Sequence, residues 1–274
     1  MIEFGCHTWG FNDKPLETAL GTIARLGFRY VDLGSGPHID VVEAAAAPAE
    51  AAKPILEQLA TFNLKISDLY LMLPRISVAD DTRRAHEVAS FEKLLPFAVA
   101  LGTPGITVSP GVSGHGAREE VFPRVATVLR GFMAQAKAFD IDVSIEPHLD
   151  SIVEKPDDII ALLSEVEGLT LTLDWAHLTK QGIKPDAAVR LVPYIRHVQV
   201  RQAAPLRLQT PFDQGVVDLE RVMTLLMSAG YDGVITVENM QTVGWHGAAA
   251  VDSIAEAVAT RDALRDLRDR FATA

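Results

Sequence analysis

Short apolar runs alternate with amphipathic stretches of helical period from one end of the chain to the other. That alternation restricts the fold more than any other feature. Strands are expected at residues 2–8, 30–33, 65–73, 105–109, 141–146, 169–174, 197–201 and 233–238. Between them apolar residues recur at helical spacing. Leu16, Leu20 and Ile23 share a face, with Gly27 as a left-handed cap. Pro54 is expected to open the helix carrying Ile55, Leu59 and Phe62, because a first-turn proline loses no helical hydrogen bond. Phe91, Leu94 and Leu95 mark a third helix, kinked at Pro96. Phe122, Val125, Leu129, Phe132 and Ala136 stripe a fourth. Pro156 starts a fifth and Pro185 a shorter sixth. Asp218 caps a seventh that Gly230 closes, and Ile254, Val258, Leu264, Leu267 and Phe271 are expected to give the last its buried face. Eight strand–helix units predict a parallel sheet closed into an α/β (β/α)8 TIM barrel, with one domain over residues 1–274. A doubly wound sheet is the alternative. It usually carries a glycine-rich turn after its first strand, and Cys6-His7-Thr8-Trp9-Gly10 lacks that spacing.

In such a barrel the C-terminal strand ends converge over one mouth, so polar groups there carry functional weight. The fifth strand ends Ile145-Glu146-Pro147-His148. The sixth ends at Asp174, with His177 three residues on; the seventh carries His197, Gln199 and Arg201; the eighth ends Val237-Glu238-Asn239. Residues two apart on a strand face one side, at ~6–7 Å per step. This places His197 deepest, Gln199 level with the carboxylates and Arg201 at the rim. One acidic strand end is usually a cap or a loop anchor. Three equivalent ones, at Glu146, Asp174 and Glu238, are costly to bury unless they share a cation, and the expected cation is a divalent metal. His177 is expected to touch substrate, with a helix-start role as the alternative. His148 either backs the site or lines the pocket, and His7 either lines the mouth or packs. Trp9, Trp175 and Trp245 either wall a polyol pocket or belong to the core.

The formal charge of −11, from 25 basic and 36 acidic residues, repels phosphate backbones, so no nucleic-acid partner is expected. A single cysteine, Cys6, excludes an internal disulfide and fits a reducing compartment. The start Met1-Ile2-Glu3-Phe4 resembles no secretory signal, and no apolar run approaches the ~20 residues of a membrane span. A cytoplasmic protein with no membrane partner is expected, and a homo-oligomer is compatible with the sequence.

These strand ends resemble the xylose isomerase-like barrel superfamily of sugar isomerases, epimerases and dehydratases, which also includes endonuclease-IV-type repair enzymes. The resemblance covers nearly the whole chain. It rests on Ile145-Glu146-Pro147-His148, on Leu173-Asp174-Trp175-Ala176-His177, on the seventh strand and on Val237-Glu238. It implies Glu146, Asp174 and Glu238 as metal ligands and His177 as the substrate-contacting histidine. The family commonly reads His-Val-His-x-Lys/Arg-Asp in strand seven, with the second histidine on the metal. This chain reads His197-Val198-Gln199-Val200-Arg201-Gln202. By register Gln199 takes the ligand position. An all-oxygen ligand set shifts preference from Zn²⁺ towards Mn²⁺ or Mg²⁺.

The activity this implies is a metal-dependent isomerisation or epimerisation of a keto-sugar or polyol derivative through an enediolate. Glu146 and Glu238 would be the acid–base pair, and His177 with Arg201 or Arg207 would steady substrate oxygens. A dehydratase or lyase using the same site is the alternative, and a non-catalytic sugar-binding relative disabled at Gln199 is another. Neutral sugars are expected ahead of phosphorylated ones, since no glycine-rich anion nest follows strand seven or eight. An endonuclease acting on abasic DNA is disfavoured. Strands two and three end Leu33-Gly34-Ser35 and Leu71-Met72-Leu73-Pro74, without the histidines such a zinc cluster needs.

Overall fold

Each strand pairs in parallel with its neighbour in sequence, and the eighth returns to the first through Glu3↔Val234 and Cys6↔Val237. The computed structural model describes residues 2–272. The strands are β1 (Glu3–His7), β2 (Tyr30–Gly34), β3 (Lys65–Leu71), β4 (Gly105–Val108), β5 (Asp142–Ile145), β6 (Thr170–Asp174), β7 (Ile195–Val200) and β8 (Val234–Val237). They form a closed eight-stranded (β/α)8 barrel with helices between the strands. All the expected strands are present, within a few residues at their ends.

The helices α1 (Leu16–Arg25), α2 (Val41–Ala46), α3 (Pro48–Phe62), α4 (Asp81–Leu101), α5 (Arg118–Lys137), α6 (Pro156–Glu165), α7 (Trp175–Lys180), α8 (Leu219–Ser228) and α9 (Ser253–Ala272) form the jacket. Their apolar faces close on the outside of the barrel. Phe91 of α4 stacks on Phe132 of α5 with ring centroids 4.0 Å apart. Each such fully buried side chain is worth ~1.5–3 kcal/mol. No helix of the described residues is long and apolar enough to cross a membrane.

Two local expectations change, and one short helix was not foreseen. Pro48, not Pro54, opens α3; Pro54 lies inside that helix. Ala49–Ala52 favour helix, and the burial of Ala52, Ile55 and Leu59 outweighs the one hydrogen bond that Pro54 forfeits. The segment after Pro185 is a 3₁₀ helix over Pro185–Tyr194, with Pro193 inside it. The short helix α7 follows β6 directly, because the Asp174 carboxylate accepts the Ala176 N–H at 2.8 Å and so caps it.

The barrel interior is polar rather than the usual aliphatic layers. Asp32 meets His197 Nε2 at 2.7 Å, accepts the Ser67 hydroxyl at 2.6 Å and accepts the Thr236 hydroxyl at 3.1 Å. In the same interior, Arg196 of β7 crosses to Asp68 of β3 and donates through Nε to the Ser144 hydroxyl at 2.6 Å. Gly105 makes that crossing possible: a Cβ there would lie 2.4 Å from an Arg196 guanidinium nitrogen. Gly34 plays the same part at the mouth, where a Cβ would lie 2.4 Å from the Trp9 indole nitrogen. Trp9 is thereby seated over the strand ends.

Candidate active site

The three late-strand carboxylates converge as the register requires. Glu146 follows β5, Asp174 ends β6 and Glu238 follows β8, and all three are buried. Glu146 and Glu238 line a cavity of about 290 Å³ at the barrel mouth, together with Trp9, Tyr70, His148, His177, Arg201 and Trp245, and Asp174 lies behind Arg201. A larger groove of about 620 Å³ lies beside it, between Ser35–Val41 and α4. It shares Met72 with the mouth and contains none of the three carboxylates, so the smaller cavity is where the chemistry can occur.

Arg201 decides the electrostatics. Its side chain does not stay at the rim but reaches back between the carboxylates, and only 1% of it remains exposed. Nη2 lies 2.8 Å from Asp174 Oδ2, an ion pair off the line of a well-directed hydrogen bond. Nη1 lies 3.4 Å from Glu238 Oε1 and donates to the Glu238 carbonyl oxygen at 3.0 Å. The attraction of two buried carboxylates explains the inward reach, since a guanidinium at the rim would leave both without a counter-ion.

His177 is held in one tautomer. Its Nδ1 accepts the Leu149 N–H at 3.1 Å, so the neutral ring carries its proton on Nε2. That Nε2–H faces Glu146 Oε1 at 3.6 Å and Asp174 Oδ2 at 3.5 Å. Burial, and then the Arg201 charge, holds the ring's pKa well below the ordinary histidine range. His148 is fixed in the opposite sense. Its Nδ1–H donates to the Leu149 carbonyl at 2.8 Å, and its Nε2 accepts the Ser109 hydroxyl at 2.7 Å.

The two glutamates differ. Burial, and next the Asp174 charge, pushes Glu146 up to about 7, opposed by a hydrogen bond from the Tyr70 hydroxyl. Burial raises Glu238 well above the carboxylate range, with Arg201 opposing and Glu146 and Asp174 adding to the rise. Burial thus raises both glutamates, while Tyr70 opposes the rise at Glu146 and Arg201 opposes it at Glu238. Two carboxyls in unlike surroundings are suited to separate acid and base roles.

The sequence missed Tyr70. Its hydroxyl donates to Glu146 Oε2 at 2.6 Å, leaving Oε1 turned towards His177. An inward phenol on β3, two residues past the inward Asp68, was the available signal.

Of the other expected residues, His148 lines the cavity, whereas His7 lies buried beneath Trp9, with Nδ1 accepting the Trp9 N–H at 3.0 Å. Arg207 is exposed on the turn that Ala204 and Arg207 close, and it does not line the cavity. Trp9 and Trp245 are walls; Trp175 is core. Gln199 is fully buried beside Asp174 in the β6–β7 register, and neither atom of its amide has a protein partner.

Glu146, Asp174 and His177 each offer a possible metal-ligand atom within 4.8 Å of one another. Their lone pairs, however, are largely engaged. Asp174 Oδ1 accepts Ala176 N–H, Oδ2 faces Arg201, Glu146 Oε2 accepts Tyr70, and His177 presents an N–H rather than a lone pair. Glu238 Oε2 and both atoms of the Gln199 amide have no partner, Glu146 Oε1 is turned towards His177, and Asp174 Oδ2 is held by the Arg201 ion pair alone. A divalent ion does not fit this arrangement unless Arg201 leaves it.

Comparison with known proteins agrees with the fold. The sequence model of the xylose isomerase-like TIM barrel family matches residues 20–267. Comparison with curated protein sequences gives no match. Among solved structures, D-psicose 3-epimerase from Clostridium cellulolyticum H10, crystallised with D-tagatose, superposes with a TM-score of 0.77 at 15% identity, covering 97% of this chain and 99% of that one. The IolI protein with a bound zinc atom superposes at 0.78 and 16% identity, over 97% and 99%. A probable 3-DHS dehydratase, AsbF from Bacillus anthracis, superposes at 0.73 and 16%, over 95% and 98%. The family match spans most of the chain, and the barrel closes as that family's does: the chain belongs to the xylose isomerase-like TIM barrel family.

Proposed function

We propose that the protein is an isomerase or epimerase that moves a proton at the carbon beside the carbonyl of a small neutral keto-sugar or polyol derivative. The observation that carries this reading is the pair of buried glutamates, Glu146 and Glu238, lining one cavity beside His177 and Arg201, Glu146 bonded by Tyr70 and Glu238 paired with Arg201. The cavity of about 290 Å³ suits a small ligand of monosaccharide size, and Trp9 and Trp245 offer flat apolar walls to its carbon face. The solved relatives named above, an epimerase among them, support the class of reaction.

Glu146 is the base. Tyr70 pins Oε2, which leaves Oε1 free to take the proton from carbon. Negative charge then builds on the carbonyl oxygen. The His177 Nε2–H and the Arg201 guanidinium are the donors positioned to receive it. Glu238, in its protonated form, returns a proton. Return to the opposite face of the same carbon inverts it, and return to the neighbouring carbon isomerises the sugar. Return to a departing hydroxyl gives a dehydratase, the second reading. No step here runs through the Mn²⁺ or Mg²⁺ that the family resemblance implies.

The test is wash-in of solvent deuterium at the α-carbon of a panel of ketoses and ketopolyols, followed by NMR in D₂O. Exchange by the wild type that Glu146→Gln abolishes supports the reading. Exchange that survives in Glu146→Gln removes Glu146 from the role of base.

A further inference from the structure

We infer that the Arg201 guanidinium is the resident cation of the carboxylate cluster, and that it replaces the divalent metal of the family rather than assisting it. The inference concerns the site's charge and stands apart from the choice of substrate.

Three buried carboxylates must be compensated, and the chain compensates them from its own side chains. Arg201 alone bridges β6 to β8, with Nη2 on Asp174 at 2.8 Å and Nη1 on Glu238 at 3.4 Å. A metal ion bonded to Asp174 Oδ2 would lie ~2.0–2.2 Å from that oxygen. It would then share one oxygen with a guanidinium nitrogen already 2.8 Å away. Two cations on one buried oxygen repel strongly at low dielectric. The remaining donors are also committed: Tyr70 on Glu146, the Ala176 N–H on Asp174 and the Nε2–H of His177 between the two.

The sequence change at position 199 points the same way. The family pattern has a basic residue at the position of Arg201 too, so what sets this chain apart is position 199, where the metal-binding histidine is an amide that pairs with nothing. The unpaired Gln199 amide and the unpaired Glu238 Oε2 are what favour an ion. Neither of them frees Asp174 Oδ2, from which an ion bonded there would have to displace the guanidinium. Chemically the exchange is coherent. A guanidinium supplies a fixed positive charge with several N–H donors aimed at the place where an oxyanion forms, and Arg201 Nε–H has no protein partner.

The experiment measures metal binding, not turnover. The full-length protein is assayed for bound metal by elemental analysis as purified, and titrated calorimetrically with Mn²⁺, Co²⁺ and Zn²⁺ after dialysis against EDTA. The expected result is no stoichiometric metal and a melting temperature moved by neither EDTA nor Mn²⁺. The double variant Gln199→His/Arg201→Met is expected to gain one site for Co²⁺ or Mn²⁺, seen in the visible absorption of Co²⁺ and in a melting temperature that rises with Mn²⁺. Should Arg201→Met not fold unaided, its recovery on refolding with Mn²⁺ or Co²⁺ reads the same exchange of cations. The inference is overturned if the wild type holds one equivalent of a divalent ion. It is also overturned if removing Arg201 leaves metal affinity unchanged, or if the variant fails to fold with or without metal. A metal-free wild type that exchanges no α-proton in any sugar leaves this inference standing and sinks the proposed function instead.

Discussion

Arg196 of β7 and Arg201, the residue after that strand, solve the same problem in different ways. Arg196, low in the barrel, pairs with Asp68 and donates to Ser144; nearby, Asp32 is closed by His197, Ser67 and Thr236. In that layer one carboxylate oxygen, Asp68 Oδ2, lacks a partner. Arg201, at the mouth, also bridges carboxylates, yet around it Gln199, Glu238 Oε2 and its own Nε remain unpaired. Buried polar atoms are normally satisfied, so a concentration of unsatisfied ones marks where something else completes the network. The lower layer is a finished structural lock. The upper layer is an unfinished one that opens on a cavity.

The contrast is sharpest in the variants that break it. Glu146→Gln should reduce α-proton exchange by ~10²–10⁴-fold, the usual worth of a positioned base, with the far-UV circular dichroism unchanged. Arg196→Met should leave the cavity chemistry intact in the molecules that fold, but cost about 3–5 kcal/mol of stability in urea denaturation, because Asp68 is left buried without its counter-ion. A smaller loss would mean that the lower layer relaxes or admits water.

Tyr70→Phe removes a hydrogen bond to a charged group worth about 1.5–3 kcal/mol. Exchange should fall by roughly ten- to hundredfold on that scale. The same variant tests the pH dependence. Glu146 must be ionised to act as base, so kcat/KM in the wild type should fall as pH drops through about 7. Tyr70 favours the ionised form, and its loss should move that limb upward. The stability sign is opposite to the usual carboxylate. A folded-state pKa raised above 4.5 means that the folded protein holds a proton the unfolded chain has released, so this contribution is present below the unfolded value and is lost as pH rises towards 7. The smallest effect belongs to Trp245, which is partly exposed and meets His177 edge-on with centroids 6.5 Å apart. Trp245→Ala should raise KM by a few-fold, about 1 kcal/mol of lost apolar contact, with kcat nearly constant. A large loss of kcat there would show that Trp245 orients His177.

The barrel was legible because its signals are local. Strand ends, the left-handed φ of 81° at Gly27, the Asp218 cap and the order of elements all follow from residues near one another in the chain. The convergence of Glu146, Asp174 and Glu238 was legible too, since register alternation and closure place equivalent strand ends together. Short-range judgement failed where two prolines competed. Pro54 fits a helix start by its local chemistry, but Pro48, six residues earlier, takes that place.

Tertiary structure alone decided what those carboxylates face. Strand register aims Arg201 at the mouth, but it reaches back because Asp174 and Glu238 arrive from neighbouring strands. Tyr70 meets Glu146 across 76 residues of sequence, and the Leu149 N–H sets the His177 tautomer across 28. Such contacts depend on rotamers chosen jointly in a low-dielectric interior, where a charge takes whichever partner lies nearest. From the sequence alone, a shared cation was required. Only the packed barrel shows that Arg201 reaches back to pair with Asp174 and Glu238.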